Sequence, residues 1–165
     1  MYIELFINID TIVKKKKKKG GVGKSSIAVN LAAISANEGF KTLVIDLDPQ
    51  ANSSQYLLGD DATYSTDKPA LEPNIENYFD DVLGTNQSKG LIGNALGNIL
   101  KNRSKGLDAF VHQSPFKNLD VIPASPSLGA LAHALESKHK IYKLRDALQQ
   151  LEGHYDRIFI DTPPA

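Results

Sequence analysis

The chain has 165 residues, of which 41% are hydrophobic and 23% are charged, as is typical of one globular domain with a sizeable core. Its formal net charge is zero, but residues 14–19 are six consecutive lysines. Without them thirteen positive charges would face nineteen negative ones, so no uniformly basic nucleic-acid face is expected elsewhere. Cysteine is absent, which excludes disulfides, thiolate zinc sites and cysteine nucleophiles.

The sequence gives no sign of a membrane or export segment. No apolar run approaches the roughly 18 residues that a membrane span needs, and the first residues lack the charged and apolar regions of a secretory signal. We therefore expect a cytoplasmic protein without a membrane partner. The four histidines (His112, His133, His139 and His154) have no metal-ligand spacing and are interpreted as solvated surface residues.

The first third of the chain predicts a βαβ unit. Residues 2–9 alternate loosely and are rich in β-branched and aromatic side chains, which favours a strand. Residues 25–37 place apolar side chains at helical spacing before Gly39, and residues 42–47 form the apolar run of a strand buried on both faces. The lysine-rich residues 10–18 between strand and helix are interpreted as a solvated insertion.

A glycine-rich loop precedes the predicted helix, and its residues are Lys19, Gly20, Gly21, Val22, Gly23, Lys24, Ser25 and Ser26. Glycines let backbone N–H groups converge on phosphate oxygens, and the following helix points its positive dipole end at the same anion. In such a loop Lys24 reaches the β- and γ-phosphates and the Ser25 hydroxyl binds Mg²⁺. The strict G-x-x-x-x-G-K-[ST] pattern fails, because Lys18 stands where its first glycine belongs. A glycine turn that merely begins a helix is the alternative.

Two acidic residues, Asp46 and Asp48, lie at the C-terminal end of the second predicted strand. In open α/β sheets ligands bind beyond the carboxyl ends of the strands, and alternation places both side chains on one side. Two carboxylates beside a triphosphate imply an intervening Mg²⁺. The alternative is a strand-ending turn broken by Pro49.

The rest of the chain continues the alternation of helices and strands. The pattern predicts helices over 75–83, 91–101, 127–137 and 140–151, and strands over 119–123 and 157–161. The last strand ends at Asp161, before Thr162, Pro163 and Pro164. We expect one domain over 1–165 with an α/β fold, in which helices flank a doubly wound, mostly parallel sheet.

Taken together, these motifs resemble the ParA/MinD family of P-loop ATPases. The loop matches the deviant Walker A motif K-G-G-x-G-K-[ST], Asp46 to Gln50 the Walker A′ motif, and Asp161 to Pro164 the Walker B segment D-x-P-P. The resemblance implies that Asp48 orients the attacking water, that Asp46 supports the water shell of Mg²⁺, and that Asp161 holds Mg²⁺ through water. It also implies that Lys19 reaches the partner's nucleotide in a sandwich dimer. The catalytic set is then Lys19, Lys24 and Asp48.

Residues 48–54 and 121–125 are more similar to the ParA/Soj partition branch than to MinD. The implied function is an ATP-dependent homodimer switch in plasmid or chromosome partitioning. Such a protein is stimulated by a ParB-like partner and binds DNA nonspecifically, so it would be associated with the nucleoid. Because family members extend well beyond the Walker B strand, the C-terminal part is expected to be missing from this chain. A MinD-like positioning ATPase, or an inactive fragment that binds anions or nucleic acid through its lysines, are the alternatives.

Overall fold

The computed structural model describes residues 23–62, 68–83, 105–129 and 142–163. Four strands form one sheet in the order β2-β3-β1-β4, and their bounds are β1 Thr42–Asp46, β2 His112–Gln113, β3 Leu119–Ile122 and β4 Arg157–Asp161. The central strand β1 pairs in parallel with both β3 and β4, whereas β2 is antiparallel to β3. Parallel pairing brings the carboxyl ends of β1, β3 and β4 to one edge of the sheet.

Helices cover both faces of the sheet. On one face, α1 (Lys24–Asn37) and α2 (Asn52–Leu58) pack against Val44, Leu119 and Val121. On the other face, α3 (Ile75–Leu83), a 3₁₀ turn (Leu107–Phe110) and α4 (Tyr142–Gln150) pack against Leu43, Ile45 and Ile122. A second 3₁₀ turn, Gly59–Ala62, follows α2.

Burial explains why β1 forms at the centre. All five of its residues are buried, and successive side chains point to opposite faces, so both packed layers share this strand. Complete burial of one leucine, isoleucine or valine side chain contributes about 1.5–3 kcal/mol to folding. The helix α3 begins at a reciprocal cap. The Asn74 side chain accepts the N–H groups of Glu76 and Asn77 at 2.9 and 3.2 Å, and the Asn77 side chain accepts the Asn74 N–H at 2.8 Å.

These observations confirm the predicted fold class of a mostly parallel sheet flanked by helices. The predicted strands and helices at 25–37, 42–47, 75–83, 119–123, 140–151 and 157–161 all occur, with ends that differ by two residues at most. The sequence analysis missed α2, both 3₁₀ turns and the short antiparallel strand β2. The predicted strand 2–9, insertion 10–18 and helix 91–101 lie outside the described residues, as does most of the predicted helix 127–137.

His112 is only partly solvated, whereas all four histidines were expected to be solvated surface residues. This residue is half-buried, and its Nε2 donates a hydrogen bond of 2.6 Å to the Pro73 carbonyl oxygen. His154 is exposed as expected, while His133 and His139 lie outside the described residues. Within the part of the chain that the structure describes, no helix is long and apolar enough to cross a membrane.

Candidate functional site

The register of the sheet brings two acidic residues side by side. Asp46 ends β1 and Asp161 ends β4, and the two are paired across the parallel ladder. The ladder continues one step further, where the Leu47 N–H donates to the Asp161 carbonyl oxygen at 2.8 Å. Asp46 lies two residues after Val44 on β1, and Asp161 lies two residues after Phe159 on β4. Residues two apart on a strand point to the same face, and Val44 and Phe159 pack in the α1–α2 layer, so both carboxylates lie on that face of the sheet. Both residues end their strands, as the sequence predicts for the strand that ends at Asp161 and for the acidic segment that begins at Asp46.

Asp46 is fully buried and is held by three hydrogen bonds. Its Oδ1 accepts the backbone N–H of Asp48 at 3.0 Å. Its Oδ2 accepts both the backbone N–H and the hydroxyl of Ser54, at 2.8 and 2.7 Å. Both carboxylate oxygens therefore have protein donors, which fixes the orientation of the side chain.

Burial changes the acidity of Asp46. Removal of the carboxylate from water raises its pKa from 3.8 to about 6, because the charged form loses its hydration. The hydrogen bonds from Ser54 and Asp48 oppose this rise, and the negative charge of Asp161 adds to it. Desolvation is the dominant cause, so the site holds this carboxylate at a cost in folding free energy.

Asp161 is also buried, but its environment is simpler. Its Oδ2 accepts the hydroxyl of Ser53 at 2.7 Å, and Ser53 is itself fully buried. Within the described residues no donor to Oδ1 is present. One oxygen of this carboxylate is thus held by α2, while the other has no hydrogen bond from that part of the chain.

Asp48 lies after the end of the strand, so strand alternation does not place its side chain beside that of Asp46. The strand ends at Asp46, and the Asp48 side chain accepts the Gln50 N–H at 2.9 Å while its carbonyl oxygen accepts the Ala51 N–H at 2.8 Å. Ala51 then adopts a left-handed conformation, with φ at 53°, before α2 begins. The segment is therefore a strand that ends at Asp46 and is followed by a turn, and Asp48 is buried in that turn.

The helix α1 directs its N-terminus toward the same edge. Near its C-terminus the Ser35 and Thr42 hydroxyls lie 2.8 Å apart, so α1 meets the start of β1 there. Since α1 packs along β1 and β4, its other end extends toward the carboxyl ends of these strands. Helix N-termini attract anions through their free N–H groups and dipole. The geometry therefore directs an anion-attracting helix end toward the two aspartates.

The described part of the glycine-rich loop begins this helix. Gly23 has φ at +79°, a left-handed conformation that side-chain-bearing residues rarely adopt, and its carbonyl oxygen accepts the Ile27 N–H at 2.9 Å. Lys24 and Ser25 are half-buried in the first turn, and Ser26 is exposed. Lys19, Gly20, Gly21 and Val22 lie outside the described residues, so their predicted roles remain predictions.

Two polar residues of this site, Ser53 and Ser54, were not predicted as site residues from the sequence. They belong to α2, where each hydroxyl meets a different aspartate. The Ser54 hydroxyl oxygen also accepts the Ala124 N–H at 3.0 Å, which joins α2 to the loop after β3. No local pattern marks these serines, because their partners lie up to 108 positions away in the chain.

The donors present suit a magnesium ion better than a transition metal. Among the described residues, no group of three or more histidine, cysteine, aspartate or glutamate side chains could hold a metal. Carboxylate and hydroxyl oxygens beside a helix N-terminus instead match Mg²⁺, which binds through few carboxylates, water and substrate phosphates. Ser25, Asp46 and Asp161 supply oxygen atoms of the kind that Mg²⁺ binds, and their roles at such an ion remain predictions.

A separate cavity lies on the opposite side of the sheet. It has a volume of about 230 Å³, and its lining includes Tyr78, Asp81, Lys105, Lys143 and Asp146. These residues belong to α3, to α4 and to the segment just before the 3₁₀ turn Leu107–Phe110. The cavity is therefore distinct from the site of the aspartate pair.

Comparisons with known proteins identify the family to which the chain belongs. The AAA_31 family model, described as an AAA domain, matches residues 10–165. The chromosome partitioning protein ParA of Myxococcus xanthus is 32% identical over 158 residues, which are 95% of this chain and 46% of that protein. The sporulation initiation inhibitor protein Soj of Bacillus subtilis is 28% identical over 155 residues, 93% of this chain and 50% of that protein.

Among solved structures, the cobyrinic acid a,c-diamide synthase of Mycobacterium smegmatis, with bound ADP and magnesium, has a TM-score of 0.62. It is 25% identical, and the match covers 91% of this chain and 49% of that one. The chain thus spans about half the length of the relatives it matches. Because the family model covers nearly the whole sequence, the chain belongs to the AAA_31 family of AAA domains, and its resemblance to ParA/Soj-type ATPases is confirmed.

Proposed function

We propose that this chain carries the Mg-ATP-binding part of a ParA-like ATPase that acts as a dimerisation switch in plasmid or chromosome partitioning. One observation supports this most strongly: Asp46 and Asp161 are paired in register and buried at the sheet edge toward which α1 directs its N-terminus. A buried acidic pair is costly to maintain. A bound cation and phosphates would compensate this cost and give the pair a function.

Individual roles follow from the chemistry of each residue. Lys24, with the N–H groups of Gly20 to Ser26, would neutralise and orient the phosphates, and Lys19 would contribute a second positive charge from the partner subunit. Ser25 and Asp161 would hold Mg²⁺, with Asp161 acting through water and Asp46 supporting its water shell. Bound Mg²⁺ would supply compensation of the negative charge on the phosphate oxygens. Asp48 would orient the attacking water.

The role in partitioning rests on the sequence relatives, since the fold alone does not assign one. The same fold serves a cobyrinic acid a,c-diamide synthase, whereas the sequence relatives named above include a chromosome partitioning protein. By analogy with such proteins, the full-length protein would form an ATP-dependent homodimer, bind DNA nonspecifically and respond to a ParB-like partner. Its DNA binding would weaken with salt, because phosphate contacts release counterions.

Substitution of Lys24 tests the nucleotide site. Lys24→Ala should weaken the binding of a fluorescent ATP analogue in the presence of Mg²⁺ by about tenfold to a hundredfold, the typical effect of losing one charge-assisted hydrogen bond. Lys117→Ala is a matched control, because Lys117 is an exposed lysine in the turn between β2 and β3. Its affinity should equal that of the unmodified chain.

Two results would contradict the proposal. If Lys24→Ala and the unmodified chain bind the ATP analogue with equal affinity, Lys24 does not act as a P-loop lysine and the proposed nucleotide site is wrong. Absence of ATP binding, together with DNA binding that disappears on deletion of residues 14–18, would favour the polybasic binding module instead.

A further inference from the structure

Two consecutive serines of α2 each hydrogen-bond to a different aspartate of the acidic pair. The Ser53 hydroxyl donates to Asp161 on β4, and the Ser54 hydroxyl donates to Asp46 on β1. Both serines are buried, at 0% and 1% exposure, so water does not compete for these hydrogen bonds. Consecutive side chains on a helix point in directions about 100° apart, which lets one turn of α2 reach two strands about 4.8 Å apart.

The two serines differ in what else they hold. Ser54 contacts Asp46 through its N–H and its hydroxyl, and its oxygen also accepts the Ala124 N–H after β3. It therefore connects α2, β1 and the β3 loop. Among the described residues, the Ser53 side chain makes one hydrogen bond, to Oδ2 of Asp161 at 2.7 Å. That bond fixes the plane of the carboxylate, and none of the described residues donates to its Oδ1.

We propose that Ser53 is a positioning residue for magnesium: its hydroxyl holds one oxygen of Asp161, so that the other oxygen faces the bound ion or its water. This inference rests on the proposed Mg-ATP site and adds a residue to it. Residues that hydrogen-bond a metal-binding carboxylate commonly change metal affinity by 10–100-fold when they are altered. A buried serine with a purely structural role would change only the stability of the fold.

The test measures the magnesium dependence of ATP-analogue binding in the 165-residue chain. Fluorescent ATP analogue is titrated with MgCl₂, and Mn²⁺ binding is followed separately by electron paramagnetic resonance, a readout that needs no hydrolysis. Ser53→Ala should raise the half-saturating concentration of either ion at least about tenfold. Nucleotide affinity at saturating Mg²⁺ should stay the same. Ser53→Thr retains the hydroxyl and should restore the original magnesium dependence.

Ser35→Ala is the matched control for a buried serine. Ser35 is 1% exposed and pairs with the Thr42 hydroxyl at the opposite end of β1, so its loss should leave the magnesium dependence unchanged. Thermal unfolding of every variant establishes that each is folded. If Ser53→Ala does not fold, Ser53→Cys takes its place, because a thiol is close in size to a hydroxyl and a weaker donor.

The outcomes separate this inference from the proposed function. A normal magnesium dependence in folded Ser53→Ala, or an equal shift in Ser35→Ala, would overturn the positioning role while leaving the nucleotide site intact. Failure of the unmodified chain to bind the ATP analogue at any Mg²⁺ concentration would overturn the proposed function and this inference with it.

Discussion

The two faces of the sheet use the same central strand for different purposes. On the face of α3 and α4, β1 contributes Leu43 and Ile45 to an apolar core that also includes Ile75, Phe79 and Leu151. On the face of α1 and α2, the alternate positions are Thr42, Val44 and Asp46, and each polar side chain has a specific hydrogen-bond partner. One strand therefore joins an apolar layer to a layer with buried polar groups.

The difference shows where stability is given up for chemistry. Burial of apolar side chains stabilises the fold by about 25 cal/mol per Å² removed from water. Burial of a carboxylate destabilises it, and hydrogen bonds offset only part of that cost. The polar layer would be less costly with apolar residues at Asp46 and Asp161, so the positions of these acids indicate a function at that edge.

The largest predicted effect lies on the apolar face. Ile45→Ala should lower the free energy of unfolding by about 2–5 kcal/mol, because Ile45 is fully buried and the smaller side chain leaves a cavity. Chemical denaturation followed by circular dichroism measures the loss. Where the variant is folded, its magnesium dependence for ATP binding should be normal. A changed magnesium dependence of ATP binding would show that packing on the apolar face also affects the site on the polar face.

The second prediction concerns the pH dependence of stability on the polar face. The pKa of Asp46 is about 6 in the folded chain and 3.8 when the group is in water, so the folded state binds a proton more tightly. Its stabilising contribution is therefore complete below pH 3.8 and is lost as the pH rises through about 6. A shift of this size corresponds to about 3 kcal/mol.

Asp46→Asn isolates this contribution. The quantity to compare is the difference in unfolding free energy between the unmodified chain and the variant, because contributions that the two chains share cancel in it. Measured without magnesium or nucleotide, that difference should change by up to about 3 kcal/mol from pH 3.8 to about 6, with the unmodified chain relatively weaker at the higher pH. A constant difference would show that burial does not disfavour the charged form of Asp46.

More of the apolar face than of the polar face of the sheet could be predicted from the sequence. The apolar layer was predictable, because Tyr78, Phe79 and Val82 of α3 and Leu144, Ala147, Leu148 and Leu151 of the α4 region recur at helical spacing. The strand ends also placed Asp46 and Asp161 at one edge. The helix α2 was not predictable in this way, because its seven residues are too few for a clear periodicity.

Long-range hydrogen bonds account for what the sequence could not show. Ser53 and Asp161 are 108 residues apart, and only the pairing of β1 with β4 brings them together. Simple alternation predicted that the Asp48 side chain lies on the same side as that of Asp46, but the Asp48 N–H donates to the Asp46 side chain in the turn that follows the strand. Local patterns contain neither contact.

The smallest predicted effect compares two buried serines of the polar layer. Ser54→Ala should lower the unfolding free energy by about 1–3 kcal/mol, because it removes a donor to buried Asp46 and leaves the Ala124 N–H without its acceptor. Ser35→Ala should cost about 1 kcal/mol, since the Thr42 hydroxyl keeps its bond to the Phe40 carbonyl oxygen. Urea unfolding at pH 7 measures both. An equal loss in the two variants would mean that the charge of Asp46 adds nothing to the value of its hydrogen bonds. A larger loss of unfolding free energy in Ser54→Ala would show that the hydrogen bonds to the buried carboxylate contribute more to stability than the bond between the two hydroxyls.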